Sequence, residues 1–556
     1  MTLRRSLVAT AAAALLVGGL LGPSAAAAPA APTTPTAPAA PKSPAVDTAK
    51  QDRTYTPAPI DWGTCSSTAL QQRGFECGRL AVPLDYAKPG GTKITLALTR
   101  LVHKGDRYQG VMLTNPGGPG GSGLTLPVLQ QYVPDKVGET YDWIGFDPRG
   151  VGQSEPAVSC DPGFGGFDRP RYVPSSPAVE QTWFDLTNAY TDACAANNGA
   201  ILDHLTTLDS VKDMESIRRA LGEKKINYYG FSYGTYLGQV YKTLYPDRLR
   251  RAVFDGVVDP RGVWYEANLD QNRAFEKTIN AWFAWVAEHD STYRLGTTET
   301  AVRLAFYRAQ EKLYDDPAQA EGGLIGGSEW TDVFLSAGYY VYGWTDLAEA
   351  FSAYVNDGDI SGVAANFGFD PSDPQADNGY AVYLGVQCTD ASWPDSWKTW
   401  QKDAWSIYVD APFETWGNTW YNEPCRHWPG QVTKPVKVKG DKTGSILLIN
   451  ETLDAATPYS GAIEVRKRFK GARLIEGVGG TTHAGSLSGV ACTDDRIADY
   501  LDTGKLPKRK SGNRSDVKCD PVPAPEPPAA NGRSAKTVDT SRYAELKQLK
   551  SEALPR

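Results

Sequence analysis

Apolar and polar residues alternate at positions 94–98, Ile-Thr-Leu-Ala-Leu, with the period of two expected of a strand. Positions 111–114 and 143–146 are short apolar runs that end in Gly/Pro-rich turns, which predicts buried strands. The same pattern returns at 226–229, 252–254, 446–449 and 473–475. Between these runs, 210–221 and 235–245 have helical character. Strands alternating with helices predict an α/β fold: a mainly parallel sheet with helices on both faces. From 261 to 430 the texture changes. Stretches 272–288 and 300–313 look helical, and twelve of the fifteen tryptophans fall within 261–430. This predicts a large helical cap inserted over the sheet, with most of its tryptophans serving packing and a few lining a cleft. No repeat of about 20–50 residues is visible.

Composition supports a well-filled globular core. Of 556 residues, 41% are hydrophobic and 11% aromatic, against 22% charged, which excludes a mainly disordered or fibrous chain. The formal charge is 57 − 64 = −7 and no dense basic stripe stands out, so nucleic acid is not expected as a partner. Arg4 and Arg5, an apolar run at 7–21 and the small residues Ser24 to Ala28 describe a secretory signal peptide over 1–28. The run is shorter than the ~20 residues that comfortably span a bilayer. The expected division is a signal peptide (1–28), a Pro/Ala-rich leader or prosegment (29–58), a first core part (59–260), the Trp-rich cap (261–430), a second core part (431–525) and a tail (526–556). The Pro-rich run that leads into the tail begins at Pro521.

Eight cysteines, an even number with no Cys-x-x-Cys pair, favour disulfides and an oxidising compartment over metal binding. Sequential pairing (65–77, 160–194, 388–425, 492–519) closes local loops with separations of 12 to 37 residues and is the expected connectivity.

The sharpest chemical signal is Gly230-Phe231-Ser232-Tyr233-Gly234, placed after a predicted strand and before a helix. Gly-x-Ser-x-Gly in that setting is a nucleophile elbow, whose tight turn excludes side chains two positions either side of the serine. A serine hydroxyl needs a base. Of five histidines, His103 and His204 precede the serine, His289 sits in a helical cap stretch and His427 lies beside Cys425. His483, in the Gly-rich loop 479–485 after a strand, is the expected base by position and elimination. Asp454 follows the strand at 446–449, 29 residues before His483, and is the expected orienting acid; Glu451 is its competitor. The loop Asn115-Pro-Gly-Gly-Pro-Gly-Gly-Ser-Gly123 exposes backbone amides, and Gly118 with Tyr233 forms the expected oxyanion pair. That loop lacks the Gly-Lys-Ser/Thr ending of a phosphate loop.

Taken as a set, Gly117-Gly-Pro-Gly120, Asp147-Pro-Arg-Gly-Val-Gly-Gln-Ser154, Gly230-Phe-Ser-Tyr-Gly234, Asp255-Gly-Val-Val-Asp-Pro260 and Leu453-Asp-Ala-Ala-Thr-Pro458 resemble the secreted tripeptidyl aminopeptidases of actinobacteria. These are α/β-hydrolases related to proline iminopeptidase. The resemblance runs from about Trp62 to Cys519 and includes Tyr500-Leu-Asp-Thr-Gly-Lys-Leu-Pro507. It implies a serine exopeptidase that releases short peptides, often tripeptides, from free N-termini through an acyl-enzyme. It also implies peptide substrates and no metal or organic cofactor. Two positions depart from the family pattern: Thr482-His483-Ala484 replaces Gly-His-Gly, and Asn115-Pro116 opens the oxyanion loop where many relatives have His. Recognition of a free amine calls for cap carboxylates, with Glu266, Asp270 and Glu276 as candidates. The protein is expected to be an extracellular monomer. A carboxylesterase with the same triad is the alternative activity.

Overall fold

The computed structural model describes residues 55–440 and 445–527. The expected signal peptide, nearly all of the leader and the tail beyond 527 lie outside the described residues. Within them the principal sheet has ten strands: β1 (Trp62–Thr64), β2 (Glu76–Pro83), β3 (Lys93–Leu101), β4 (Val111–Asn115), β5 (Asp142–Phe146), β6 (Ile226–Phe231), β7 (Leu249–Asp255), β10 (Ser445–Glu451), β11 (Ala472–Gly477) and β12 (Val517–Cys519). Their order is β1-β2-β3-β5-β4-β6-β7-β10-β11-β12. The pairs from β1 to β5 are antiparallel, and from β5 onward every pair is parallel.

Successive side chains of the central strands enter different cores, as a sheet covered on both faces requires. Val111, Leu113, Tyr228, Ala252, Phe254, Ile446 and Leu448 belong to one cluster, with Met214 and Leu237 from the helices Thr207–Ala220 and Tyr233–Leu244. Their neighbours Met112, Tyr229, Val253, Leu447 and Ile449 belong to the other, with Ile497 and Leu501 from the helix Ala491–Thr503. These strands are apolar on both sides, which is why they read as continuous runs.

Between β7 and β10 the chain forms the cap. Its longest helix is Tyr265–Glu288, and a small hairpin pairs β8 (Ala318–Ala320) with β9 (Gly323–Ile325). Trp282, Phe283, Phe306, Trp330, Phe334 and Phe351 interlock in a separate core. Trp282 and Phe334, for example, stack at 5.5 Å. Most cap tryptophans are therefore packing residues; Trp405, 40% exposed, is an exception.

Two segments behave differently from their sequence texture. Residues 161–198, between β5 and β6, pack on the cap: Trp183 stacks on Trp420 at 5.6 Å, and Trp420 Nε1 donates to Tyr172 O at 2.7 Å. Cap residues Glu329 and Asp332 hold Arg169 of the same excursion. The Pro-rich run from Pro521 is also fixed rather than tail-like. Val522 is 5% exposed within the cap cluster, and Trp285 Nε1 donates to Pro525 O at 3.2 Å. The four disulfides join Cys65–Cys77, Cys160–Cys194, Cys388–Cys425 and Cys492–Cys519, the sequential pairing expected.

A buried ion pair anchors the turn after β5. Arg149 donates to both oxygens of Asp213 at 2.8 Å, and both side chains are essentially inaccessible. Asp213→Ala strands the guanidinium without its counter-charge and is expected to cost about 3–5 kcal/mol. Urea unfolding followed by tryptophan fluorescence measures this; a loss below ~1 kcal/mol would show that the pair is dispensable.

Candidate active site

Ser232 caps β6 at φ 52° and ψ −126°, outside the conformations that L-residues prefer. Its N–H donates to Asp255 O at 3.0 Å, and Thr235 N–H donates back to Ser232 O at 2.8 Å. The glycines either side are forced by space. A Cβ at Gly230 would lie 2.7 Å from Gly234 O, and one at Gly234 would lie 2.7 Å from Asn115 O. The elbow therefore holds because β4 and β6 run side by side and the helix starts in contact with both.

The Gly-rich loop after β4 abuts the serine from the other side. A Cβ at Gly117 would sit 2.7 Å from Ser232 Cβ. Gly117 N–H is occupied by Asn115 Oδ1 at 3.0 Å. Gly118 and Tyr233, the two residues expected to offer amides, both line the cavity over Ser232. Tyr233 is the first residue of its helix, so its N–H has no intrahelical acceptor. The far end of the loop is held by Asp147, which accepts from Ser122 Oγ at 2.6 Å, Gly123 N at 3.1 Å and Gln153 N at 2.8 Å. Burial pushes the Asp147 carboxyl up to about 6 in spite of these donors.

His483 and Asp454 meet at the ends of β11 and β10. His483 Nδ1 lies 2.9 Å from both oxygens of Asp454. Thr457 holds the carboxylate in place, donating from N at 2.9 Å and from Oγ1 at 2.8 Å. Glu451 makes no such contact with the ring. Its oxygens accept backbone N–H groups of Thr482 at 2.6 Å and Val522 at 2.7 Å. Among the other histidines, His103 pairs with Asp142 at 2.7 Å, and His427 is exposed beside the Cys388–Cys425 bridge.

Ser232, His483, Gly118 and Tyr233 line one cavity of about 590 Å³ between core and cap. Its walls are aromatic, including Tyr339, Tyr380, Tyr383 and Tyr421. Among the cap tryptophans, only Trp264 lines it. The cavity lining carries seven carboxyl groups (Asp259, Asp270, Asp332, Asp370, Asp373, Asp377 and Glu414) against one guanidinium, Arg169.

Of the three cap acids singled out in the sequence, only Asp270 lines the cavity, and it is 71% exposed beside Arg273. Glu266 points into solvent. Glu276 is buried and accepts from Phe413 N at 3.0 Å, supporting the residue next to Glu414. Sequence reasoning missed Glu414. It is 9% exposed, lines the cavity and leaves Oε2 without a hydrogen-bond partner. Burial, then the nearby Asp332, raises its carboxyl to about 8. No sequence signal marked it, because a glutamate before a short Trp-rich helix looks like any N-terminal acid.

The comparisons with known proteins agree with this architecture. Residues 110–304 match the family described as alpha/beta hydrolase fold, and residues 411–534 match the one described as TAP-like protein. The tripeptidyl aminopeptidase of Streptomyces lividans is 41% identical over 483 residues, covering 84% of this chain and 88% of that protein. The chain belongs to the tripeptidyl aminopeptidase family. Two further relatives are more distant. Serine protease Hip1 of Mycobacterium tuberculosis is 30% identical over 474 residues, covering 81% of this chain and 90% of that protein. Carboxylesterase B of the same species is 28% identical over 465 residues, covering 80% and 88%. Peptidases and an esterase of the family thus share most of their length with this chain, so the cavity must be read for substrate preference.

The contact between Gly117 and Ser232 generates a test. Gly117→Ala places a methyl group against the Ser232 side chain at a residue with φ +104°, so the serine must shift. Displacements of ~1 Å at a reacting group cost about 100-fold in rate. Turnover is expected to fall by at least ~10-fold with the fold retained by circular dichroism; unchanged turnover would show that the loop yields instead.

Proposed function

We propose that this protein is a serine aminopeptidase that removes short peptides, tripeptides in the first instance, from free N-termini. The observation that carries the reading is the His483–Asp454 pair, 2.9 Å apart, with His483 and Ser232 both lining one acidic cavity. Ser232 Oγ attacks the scissile carbonyl, His483 takes its proton, and the amides of Gly118 and Tyr233 receive the oxyanion. The peptide bond breaks as His483 returns the proton to the leaving amine. Water, deprotonated by the same imidazole, then releases the acyl group. Asp454 keeps the imidazole in the tautomer that presents Nε2 to the serine and balances its charge during transfer.

Glu414 supports recognition of a free amine. A buried carboxyl with a spare oxygen, in a cavity rich in acids, is matched by an ammonium and by little else. The cavity volume suits a ligand of a few residues. Four disulfides support an exported, extracellular protein.

The test compares a tripeptide chromogenic amide with its N-acetylated twin on wild type, Ser232→Ala and Glu414→Gln. Wild type is expected to prefer the free amine, and Ser232→Ala to abolish both activities. Glu414→Gln is expected to lower kcat/KM about 100-fold for the free amine alone, since losing one partner of a buried charge pair costs ~2–5 kcal/mol. Equal turnover of both substrates by wild type would refute the exopeptidase reading. Rapid cleavage of simple esters with neither amide turned over would favour the esterase.

Acidity gives an independent check. Glu414 must lose its proton to bind an ammonium, and its carboxyl sits at about 8. KM for the free-amine substrate is therefore expected to fall as pH rises toward 8. It should then rise again as the substrate amine, pKa ~7.7–8.0, loses its own proton. The acetylated twin should show no such minimum.

A further inference from the structure

Glu451 is a buried carboxylate that the proposed reaction does not use, and it joins two parts of the chain that are distant in sequence. It ends β10, three residues before Asp454. One oxygen accepts the N–H of Thr482, the residue before His483, at 2.6 Å. The other accepts the N–H of Val522 at 2.7 Å, on the strap that runs from β12 toward the cap. The strap lies directly on the histidine loop. A Cβ at Gly480 would sit 2.3 Å from Glu451 Oε2 and 2.5 Å from Pro521 Cβ, and one at Gly485 would sit 2.8 Å from Val522 Cγ2. The far side of the loop is held by Tyr339 O, which accepts His483 N–H at 2.8 Å, and by Asp255, which accepts Ser486 N–H at 2.8 Å.

We propose that Glu451 is a positioning residue for His483, its ionised carboxylate clamping the histidine loop and the C-terminal strap together so that the imidazole stays in register with Ser232 and Asp454. The proposal rests on the reading of His483 as the base.

Two acceptor oxygens facing two backbone donors require a carboxylate. A glutamine keeps the shape, but its amide nitrogen cannot accept, so one of the two buried N–H groups loses its partner. The clamp is also sensitive to protonation. Burial outweighs the two N–H donors and raises the Glu451 carboxyl to about 8, and Asp454 and Asp255 push in the same direction. Glu476 on the neighbouring strand is engaged with Tyr459 and Lys518, and Asp520 on the strap is exposed. The cap reaches this loop through the backbone of Tyr339 and Val341. Below about 8 one oxygen of Glu451 carries a proton and accepts poorly; above it both accept. In wild type, kcat should therefore rise a second time as pH increases through about 8, beyond the limb set by histidine.

The experiment measures kcat and KM from pH 5 to 10 for wild type, Glu451→Gln, Val522→Pro and His483→Ala, each checked for fold by circular dichroism. Glu451→Gln is expected to lower kcat about 10–100-fold with KM within ~3-fold, and to lack the alkaline rise. Val522→Pro, which removes the strap's donor and leaves the carboxylate, should lower kcat by several-fold and flatten the rise, because the neutral acid can still serve the remaining Thr482 N–H with its carbonyl oxygen. It carries the test if Glu451→Gln does not fold. Wild-type kcat and an unchanged pH profile in the folded variants would overturn the proposal, as would a loss in KM alone. His483→Ala separates the two readings: if it retains turnover the base is misassigned, whereas a dead His483→Ala beside a wild-type-like Glu451→Gln rejects only the clamp.

Discussion

A serine held at φ 52° depends on its surroundings for that conformation, which costs an isolated L-residue on the order of 1–3 kcal/mol. Here the surroundings are β6 and its two neighbours in the sheet, β4 and β7. Tyr228 and Tyr229 of β6 anchor opposite cores. Ser232 N–H is tied to the end of β7, and Gly234 is pressed against the end of β4. Moving the serine to a relaxed conformation would mean moving three strands and the helix that starts at Tyr233. The acid and the histidine then follow from topology: β10 and β11 continue the parallel sheet beyond β7, so the loops carrying Asp454 and His483 emerge on the same edge.

The residues that could be read in the sequence are those whose neighbours along the chain already determine their setting. Ser232 sits between two glycines at a strand–helix junction, and His483 follows a strand in a glycine-rich loop. Strands buried on both faces announced themselves as unbroken apolar runs. Glu414, the 161–198 excursion and Val522 were not legible for a common reason: their settings are created by segments far away in sequence. Glu414 becomes a buried acid with an unpartnered oxygen only because Asp332 and the aromatic walls close around it. Trp183 joins the cap only because Trp420 lies opposite. The run from Pro521 has the composition of a linker, and one valine and a few backbone groups are enough to fix it. Conversely, Glu276 has the periodicity of a helix charge and is instead a support for the segment leading into Glu414.

The cap does two kinds of work with one set of aromatic residues. In its interior they provide a core independent of the sheet, so it can present a stiff roof. At the cavity surface their rings exclude water from around the carboxyl groups, which strengthens each electrostatic interaction made there. The tyrosine-rich lining and the acids thus belong to one arrangement: the same low polarity that raises Glu414 also makes an ammonium partner more valuable to it.

The strap that ends beside the histidine loop also governs timing. Ser232 and the whole cap precede Asp454, His483 and Val522 in the chain. A polypeptide emerging from a ribosome or a translocation channel N-terminus first therefore displays Ser232, the proposed nucleophile, hundreds of residues before His483, its proposed base. Glu451, which accepts from the residue before that histidine, gains its second N–H donor only when Val522 arrives. A partly delivered chain therefore carries Ser232 before the strands that bring Asp454 and His483 to the same edge of the sheet are present.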